Sequence, residues 1–302
     1  MRLKLALRGV FPGYVDSLVP AVIKTVCGGD VDIVPEAQAN LVIIGPFKDK
    51  RRFFERRKKK YRNKDAVYLF QTGENIRHDE IAADFSISFD LGVEDETHFR
   101  WPHWTDVVSW REHGVHYEPK NVRFGKPIEA EQLMEPLGAR ALERPFKAAI
   151  FSWHLREPRK TLIEALSSHM EVDGYGRAFD ESIASHDSSG LLKCDILRNY
   201  MFNLCPENSL YPGYYTEKIV EAYAAGCIPV TWTDRNLEAD FNPGAVINCL
   251  PFAATGYANG LADAISDENL QQLVEVPLLD KAPSLEPLVR FIEKVVRAAA
   301  QK

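Results

Sequence analysis

Four side chains able to handle a charged, hydroxyl-rich ligand crowd one short stretch. In "CPENSLYPGYYTEKIVEAYAAGCIPVTW", Cys205 to Trp232, Asn208, Tyr214, Glu217 and Lys218 fall in or beside a turn that leads into a helix. The pattern predicts a strand over "MFNLCPEN", a turn at "SLYPGYY", and a helix from near Thr216 to Gly226, a residue suited to the position after a helix end. The first turn of a helix has unpaired N–H groups and partial positive charge, so it attracts anions. A cation there, Lys218, is disfavoured by the dipole unless it meets an anion such as phosphate. Glu217 could accept hydrogen bonds from ribose hydroxyls, while Asn208 and Tyr214 offer neutral donors and acceptors. A structural role competes evenly: Glu217 favouring the dipole, Lys218 pairing with Glu221, and Tyr214 and Tyr215 covering the core.

Elements must bring these groups to a sheet edge. "LKLALRGV", "VDIV", "ANLVIIGPF", "DAVYLFQTG" and "DFSISFD" read as strands in the first half. "FKAAIFSW", "MEVDGYG", "MFNLCPEN", "CIPVTWTD" and "GAVINCLPF" do so in the second. Between them "RKTLIEALSSH", "TEKIVEAYAAG" and "GLADAISDENLQQLVE" carry helical spacing. Short apolar runs alternating with helical segments indicate two α/β units with parallel sheets, and ligands bind such sheets at the carboxyl ends of the strands. The join is expected near "LERPFK", Leu142 to Lys147, giving units over 1–143 and 144–280. In the tail, 281–302, Ser284 is a candidate N-cap, Pro287 fits the first turn, and Leu288, Phe291, Ile292, Val295 and Val296 form one stripe.

Composition narrows the classes. The 302 residues are 45% apolar and 26% charged, as expected of a globular protein. No apolar run reaches the ~20 residues of a membrane span, and "MRLKLALRGVFPGYVD" is too short and too charged for a secretory signal, so a cytoplasmic address is the default. Five scattered cysteines without a CxxC read as reduced, mostly buried thiols. Neither GxGxxG nor GxxxxGK[ST] occurs. "DVD" at Asp30 to Asp32 lies in a strand-like run and is not expected to hold metal; His98, His103, His113 and His116 form no ligand pattern and are expected at the surface. The net charge of −6 hides a basic belt: Lys48 to Lys64 has eleven Lys/Arg and two acids, net +9, against −15 for the rest. A solvated face accounts for it as well as attraction to an anionic membrane surface does, with Phe53, Phe54 and Tyr61 entering the interface.

The stretch "NLCPENSLYPGYYTEKIVEAYAAGCIPVTWT" with "DFNP" at Asp240 to Pro243 closely resembles the donor-binding core of the α-1,3/4-fucosyltransferases, glycosyltransferase family 10. "QTGENIR" followed by "DFSISFD", "FKAAIFSWHLREPRKTLIEAL" and "GYGR" at Gly174 to Arg177 are similar to further family segments. The resemblance covers about two-thirds of the chain.

It implies an α/β GT-B architecture, two Rossmann-like domains facing a cleft, and an inverting transferase that moves L-fucose from GDP-fucose to O3 or O4 of N-acetylglucosamine or glucose in a β-galactoside glycan. By position, Lys218 and Arg177 would meet the diphosphate, Glu217 the ribose, and Asn208 and Tyr214 the phosphate and fucose; Glu74 of "GEN" would be the general base. No cofactor is required, with room left for a stimulatory divalent cation. The partners implied are GDP-fucose and an oligosaccharide or lipid-linked glycan, the latter reached at the inner membrane face through Lys48–Lys64; no nucleic acid is expected. Trp101 and Trp104, in "RWPHWTDVVSW", are candidates to stack on acceptor sugars or else to fill a core. The chain departs from the family at Met201, Pro206 and Trp153, and either Arg159 or Lys160 supplies an expected basic residue. Those departures bear on the sugar and base of the donor. Another GDP-sugar donor, a glycan- or nucleotide-binding relative without turnover, and a nucleic-acid-binding protein are the competing readings.

Overall fold

A computed structural model describes residues 2–47, 63–121, 123–179 and 192–302. Residues 48–62, nearly all of the basic belt, lie outside the described residues. The chain divides by its contacts into one unit of Met1–Pro119 with Ser284–Lys302 and a second of Lys120–Pro283.

The first unit is a parallel sheet, with β1 (Leu3–Arg8), β2 (Val31–Ile33), β3 (Leu41–Ile44), β4 (Val67–Gln71), β5 (Phe85–Ser88) and β6 (His98–Arg100) in the order β2-β1-β3-β4-β5-β6. Alternation of side chains along a strand sends Leu41 and Ile43 into one core cluster and Val42 and Ile44 into another. The larger cluster is closed by α1 (Leu18–Val26) and the terminal helix Glu286–Ala300. Pro20 is accommodated in the first turn of α1, where no N–H is needed. In the terminal helix Leu288, Phe291, Ile292 and Val295 are buried as the stripe predicts. Ser284 Oγ accepts from Glu286 N at 3.2 Å, and Glu112 Oε2 accepts from Leu285 N at 3.1 Å, placing an anion at the helix start. A hairpin not foreseen from the sequence joins β7 (Trp110–Glu112) to β8 (Val115–Tyr117) through His113 and Gly114, both with positive φ.

The second unit begins with α2 (Ala130–Leu133), followed by β9 (Lys147–Phe151), α3 (Arg159–Ser167), β10 (Glu171–Tyr175), α4 (Lys193–Leu197), β11 (Phe202–Leu204), α5 (Glu217–Ala224), β12 (Ile228–Thr231) and β13 (Ile247–Asn248). Its sheet is parallel, ordered β10-β9-β11-β12-β13. That is the doubly wound 2-1-3-4-5 order, whose direction reverses between β9 and β11. "GLADAISDENLQQLVE" is not one helix: α6 (Tyr257–Ala264) ends before α7 (Asp267–Val274), with Ser266 as the N-cap of α7.

The division falls at Pro119 and Pro283 rather than near Leu142 and residue 280. Residues 120–143 bury Phe124, Ile128 and Leu133 and are tied to the second unit by Cys194 N to Phe124 O (3.0 Å), Leu279 N to Leu133 O (2.8 Å) and Tyr223 Oη to Glu135 O (2.8 Å). All ten expected strands are present. Four cysteines are buried, Cys27 is half-buried, and all five are free. Burial pushes the Cys227 and Cys249 thiols up to about 12.

Candidate donor site and catalytic loop

At the reversal between β9 and β11 the second unit gathers its polar groups. Beyond β11 the chain stays paired, with Cys205 N donating to Val230 O (2.7 Å) and Glu207 N to Trp232 O (3.1 Å). Glu207 is thereby drawn inside, fully buried, and its neighbour Asn208 is exposed. From the first position of α3, the buried Arg159 reaches across: its Nη2 donates to Asn208 Oδ1 at 2.7 Å and lies 3.5 Å from Pro206 O. Burial pulls the Arg159 guanidinium below its ordinary value, and Glu207 and Tyr214 oppose the shift. Lys160 is on the solvent side, 3.9 Å from Glu164, so Arg159 is the basic residue at this edge.

Helix α5 runs from Glu217 and ends before Gly226, whose φ is +79° and whose Cβ, if added, would strike the Arg144 guanidinium. Lys218 donates to Glu207 Oε2 at 2.7 Å and to Thr216 Oγ1 at 2.6 Å, with its side chain 18% exposed. It does not pair with Glu221. That carboxylate is taken by Lys193 at 2.7 Å, in a second buried ion pair. Glu217 Oε1 is 3.9 Å from the Lys218 ammonium. Tyr214 is buried, 2% exposed, rather than on the rim, yet its hydroxyl acts electrostatically on both Arg159 and Lys218. Asn208, Tyr214, Glu217 and Lys218 are therefore brought together, with Arg159 and Glu207 added. Arg177 is exposed on the turn after β10, where Gly176 (φ +97°) lets the chain pass 2.6 Å from Ser152 O measured from an added Cβ. Sequence reasoning passed over Glu207; its only signal was an acid beside Asn208 at a strand end.

In the first unit, Glu74 is exposed on the loop after β4. Thr72 shapes that loop, its Oγ1 accepting from Glu74 N at 3.0 Å. Gly73 leaves room for the His103 ring, 2.9 Å from an added Cβ, and His103 Nδ1 is 3.2 Å from Asp106 Oδ2. Two expectations are corrected in this unit. Trp101 and Trp104 are 8% and 4% exposed; Trp101 stacks on Phe99 and tilts against Trp110, so these rings fill the core and present no face to a sugar. His98 is buried beside Ser86 Oγ (3.0 Å) and the His78 ring, not at the surface. Among the described residues no group of three or more His, Cys, Asp or Glu is placed to hold a metal ion, and no helix is long and apolar enough to cross a membrane. Asp32 is engaged by Arg2, whose Nη2 donates to it at 2.6 Å.

Comparison with known proteins bears directly on this arrangement. Residues 144–270 match the family model "Glycosyltransferase family 10 (fucosyltransferase) C-term", and residues 47–106 match "Alpha-(1,3)-fucosyltransferase FucT N-terminal domain". The alpha-(1,3)-fucosyltransferase FucT of Helicobacter pylori is 27% identical over 233 residues, 72% of this chain and 46% of that protein. The 3-galactosyl-N-acetylglucosaminide 4-alpha-L-fucosyltransferase FUT3 of Pan troglodytes is 31% identical over 128 residues, 41% of this chain and 32% of that protein. The chain thus spans less than half the length of these relatives. Crystal structures of an alpha1,3-fucosyltransferase, alone and with GDP-fucose, share the fold at TM-scores of 0.67 and 0.65, with 21% identity over 100% and 98% of this chain and 90% of theirs. The fold is accordingly α/β of the GT-B type. The two family models together account for about three-fifths of the sequence, and the chain belongs to glycosyltransferase family 10, the fucosyltransferases.

Proposed function

We propose that the protein is an inverting transferase that moves L-fucose from GDP-fucose to O3 or O4 of N-acetylglucosamine or glucose in a β-galactoside-containing glycan, free or lipid-linked. The observation that carries the reading is the Lys218 ammonium held beside the start of α5 at the sheet's topological reversal. Arg159 and Asn208 are joined at the same edge. A helix start with a fixed cation is suited to a diphosphate. In the proposed step the Glu74 carboxylate takes the proton of the acceptor hydroxyl as its oxygen bonds to C1 of the sugar. The bond from C1 to the diphosphate oxygen breaks on the opposite face, and the electron pair leaves with GDP. Lys218, Arg177 and the α5 N–H groups stabilise the charge gathering there. Glu217 serves the ribose, and Asn208 and Tyr214 the phosphate and fucose side.

The scheme needs no metal, and a stimulatory divalent cation is compatible with it. Attraction of Lys48–Lys64 to an anionic leaflet belongs to the same proposal, and nucleic acid has no part in it. Mass-spectrometric analysis of transfer from a panel of GDP-sugars onto lactose and N-acetyllactosamine tests the reading: a mass increase of one fucose with GDP-fucose is expected. Transfer from a different GDP-sugar alone would replace the donor, and no transfer with retained GDP binding would favour a binding protein.

A further inference from the structure

We propose that Glu207 is the positioning residue of the donor site: it fixes the Lys218 ammonium and draws the Thr216 hydroxyl away from capping, which leaves the start of α5 open to a nucleotide diphosphate. The inference rests on the donor reading above and assigns a task to a residue that does not itself meet the ligand.

The hydrogen bonds define the task. Glu207 Oε1 accepts from Thr216 N at 2.7 Å, and Oε2 accepts from Lys218 Nζ at 2.7 Å. Thr216 Oγ1 lies 3.0 and 2.9 Å from the two carboxylate oxygens and accepts from Lys218 Nζ at 2.6 Å. The hydroxyl proton therefore points at Glu207 and a lone pair at Lys218. A threonine at this N-cap position ordinarily accepts from an N–H of the first helical turn. Thr216 makes no side-chain cap bond. Its oxygen is held by the carboxylate and the ammonium instead.

Two of the three Lys218 N–H bonds go to Glu207 and Thr216, and Glu217 at 3.9 Å is beyond hydrogen-bond distance. A third N–H suffices for a ligand oxygen. Burial acts to discharge this lysine; Glu207 is foremost among the groups that oppose it, and the ammonium ends above its ordinary value. A bare carboxylate next to an anion site would repel the ligand. Paired and fully hydrogen-bonded, it instead presents a fixed donor.

The sign of one substitution separates positioning from repulsion. Glu207→Gln keeps the shape and an acceptor for Thr216 N–H but removes the charge. GDP is the probe, with affinity measured by calorimetry on the full chain alongside the thermal midpoint. The expected result is GDP binding weaker by about tenfold or more, the scale of a charge-assisted hydrogen bond, in protein still folded at the assay temperature, with the midpoint lowered because Lys218 loses its ion partner and the donor KM raised. Unchanged or tighter GDP binding would overturn the proposal, as would a loss of affinity that merely tracks a loss of folded protein. Should the Gln variant not fold, Glu207→Asp keeps the charge but draws the carboxylate back from Lys218 Nζ and Thr216 N, now each 2.7 Å away: weaker GDP binding supports the proposal and wild-type affinity overturns it. Lys218→Ala keeps the two claims apart. If the wild type fails to bind GDP, or Lys218→Ala binds it normally, the donor reading falls. If Lys218→Ala is weak and Glu207→Gln is normal, only the role of Glu207 falls.

Discussion

Replacing Lys218 by Met preserves side-chain length and removes a charge with two separable duties. The first is structural, because Glu207 is fully buried and would lose its ion partner. Removing one member of a buried pair costs about 3–5 kcal/mol. The Thr216 N–H and O–H bonds remain, so the lower end, ~3 kcal/mol, is expected. For a unit of this size, each kcal/mol moves the thermal midpoint by about 2–4 °C, which gives a fall of roughly 6–12 °C. The second duty, that of the proposed donor site, is binding, where one charge-assisted hydrogen bond is worth about 1.5–3 kcal/mol. That corresponds to a loss of GDP affinity of roughly 10- to 150-fold. Adding Glu207→Gln to the Met variant removes the stranded carboxylate. Most of the lost midpoint should then return, because a buried pair exchanged for neutral groups is often nearly neutral in stability, while GDP affinity should stay low. Differential scanning fluorimetry and titration calorimetry on the two variants read the duties independently. Recovery of affinity together with stability would show that Lys218 acts only through the fold and would refute the reasoning.

Other outcomes follow from single sites. Glu74→Gln should abolish sugar transfer while GDP affinity remains at the wild-type value; turnover at the original rate would remove Glu74 from its role. Gly226→Ala forces a side chain into φ +79° and against Arg144, which donates to Ala225 O at 2.9 Å; a loss of about 2 kcal/mol is expected in urea unfolding, and unchanged stability would contradict the packing. Ile292→Ala, on the fully buried stripe of the terminal helix, should cost about 2–5 kcal/mol in the same measurement. His98 is held below its ordinary 6.5, first by burial and then by His78, with Asp90 and Asp95 opposing. Below pH 6.5 the unfolded chain gains a proton that the folded chain resists, so this histidine's contribution is present above that pH and is lost as pH falls toward the folded-state value. His98→Gln should therefore lessen the stability difference between pH 7 and pH 5.5, and an identical pH dependence would rule the histidine out.

The strands were legible because two-sided burial in a parallel sheet leaves uninterrupted apolar runs, as in "LVII" at Leu41–Ile44. The start of α5, its glycine stop and the terminal stripe were legible for similarly local reasons. Local pattern could not choose a partner for Lys218, because Glu221 is near in sequence whereas Glu207 becomes near only when β11 extends beside β12. Nor could it place Trp101 and Trp104: aromatic residues in an irregular stretch suit a core or a sugar platform equally, and the stacking of Trp101 on Phe99 decides for the core. The boundary at Pro119 was hidden because residues 120–143 have weak periodicity, and their allegiance is set by bonds to Cys194, Tyr223 and Leu279 far along the chain. Family likeness supplied what local pattern left undecided, namely the reading of the polar cluster as a donor site that is proposed above.

A crystal structure of the protein with GDP is the most direct test of the whole account. The account predicts the diphosphate within hydrogen-bond distance of Lys218 Nζ and the first N–H groups of α5, with Glu207 still bonded to Thr216. A nucleotide bound away from the end of β11, or one that leaves Lys218 untouched, would contradict it.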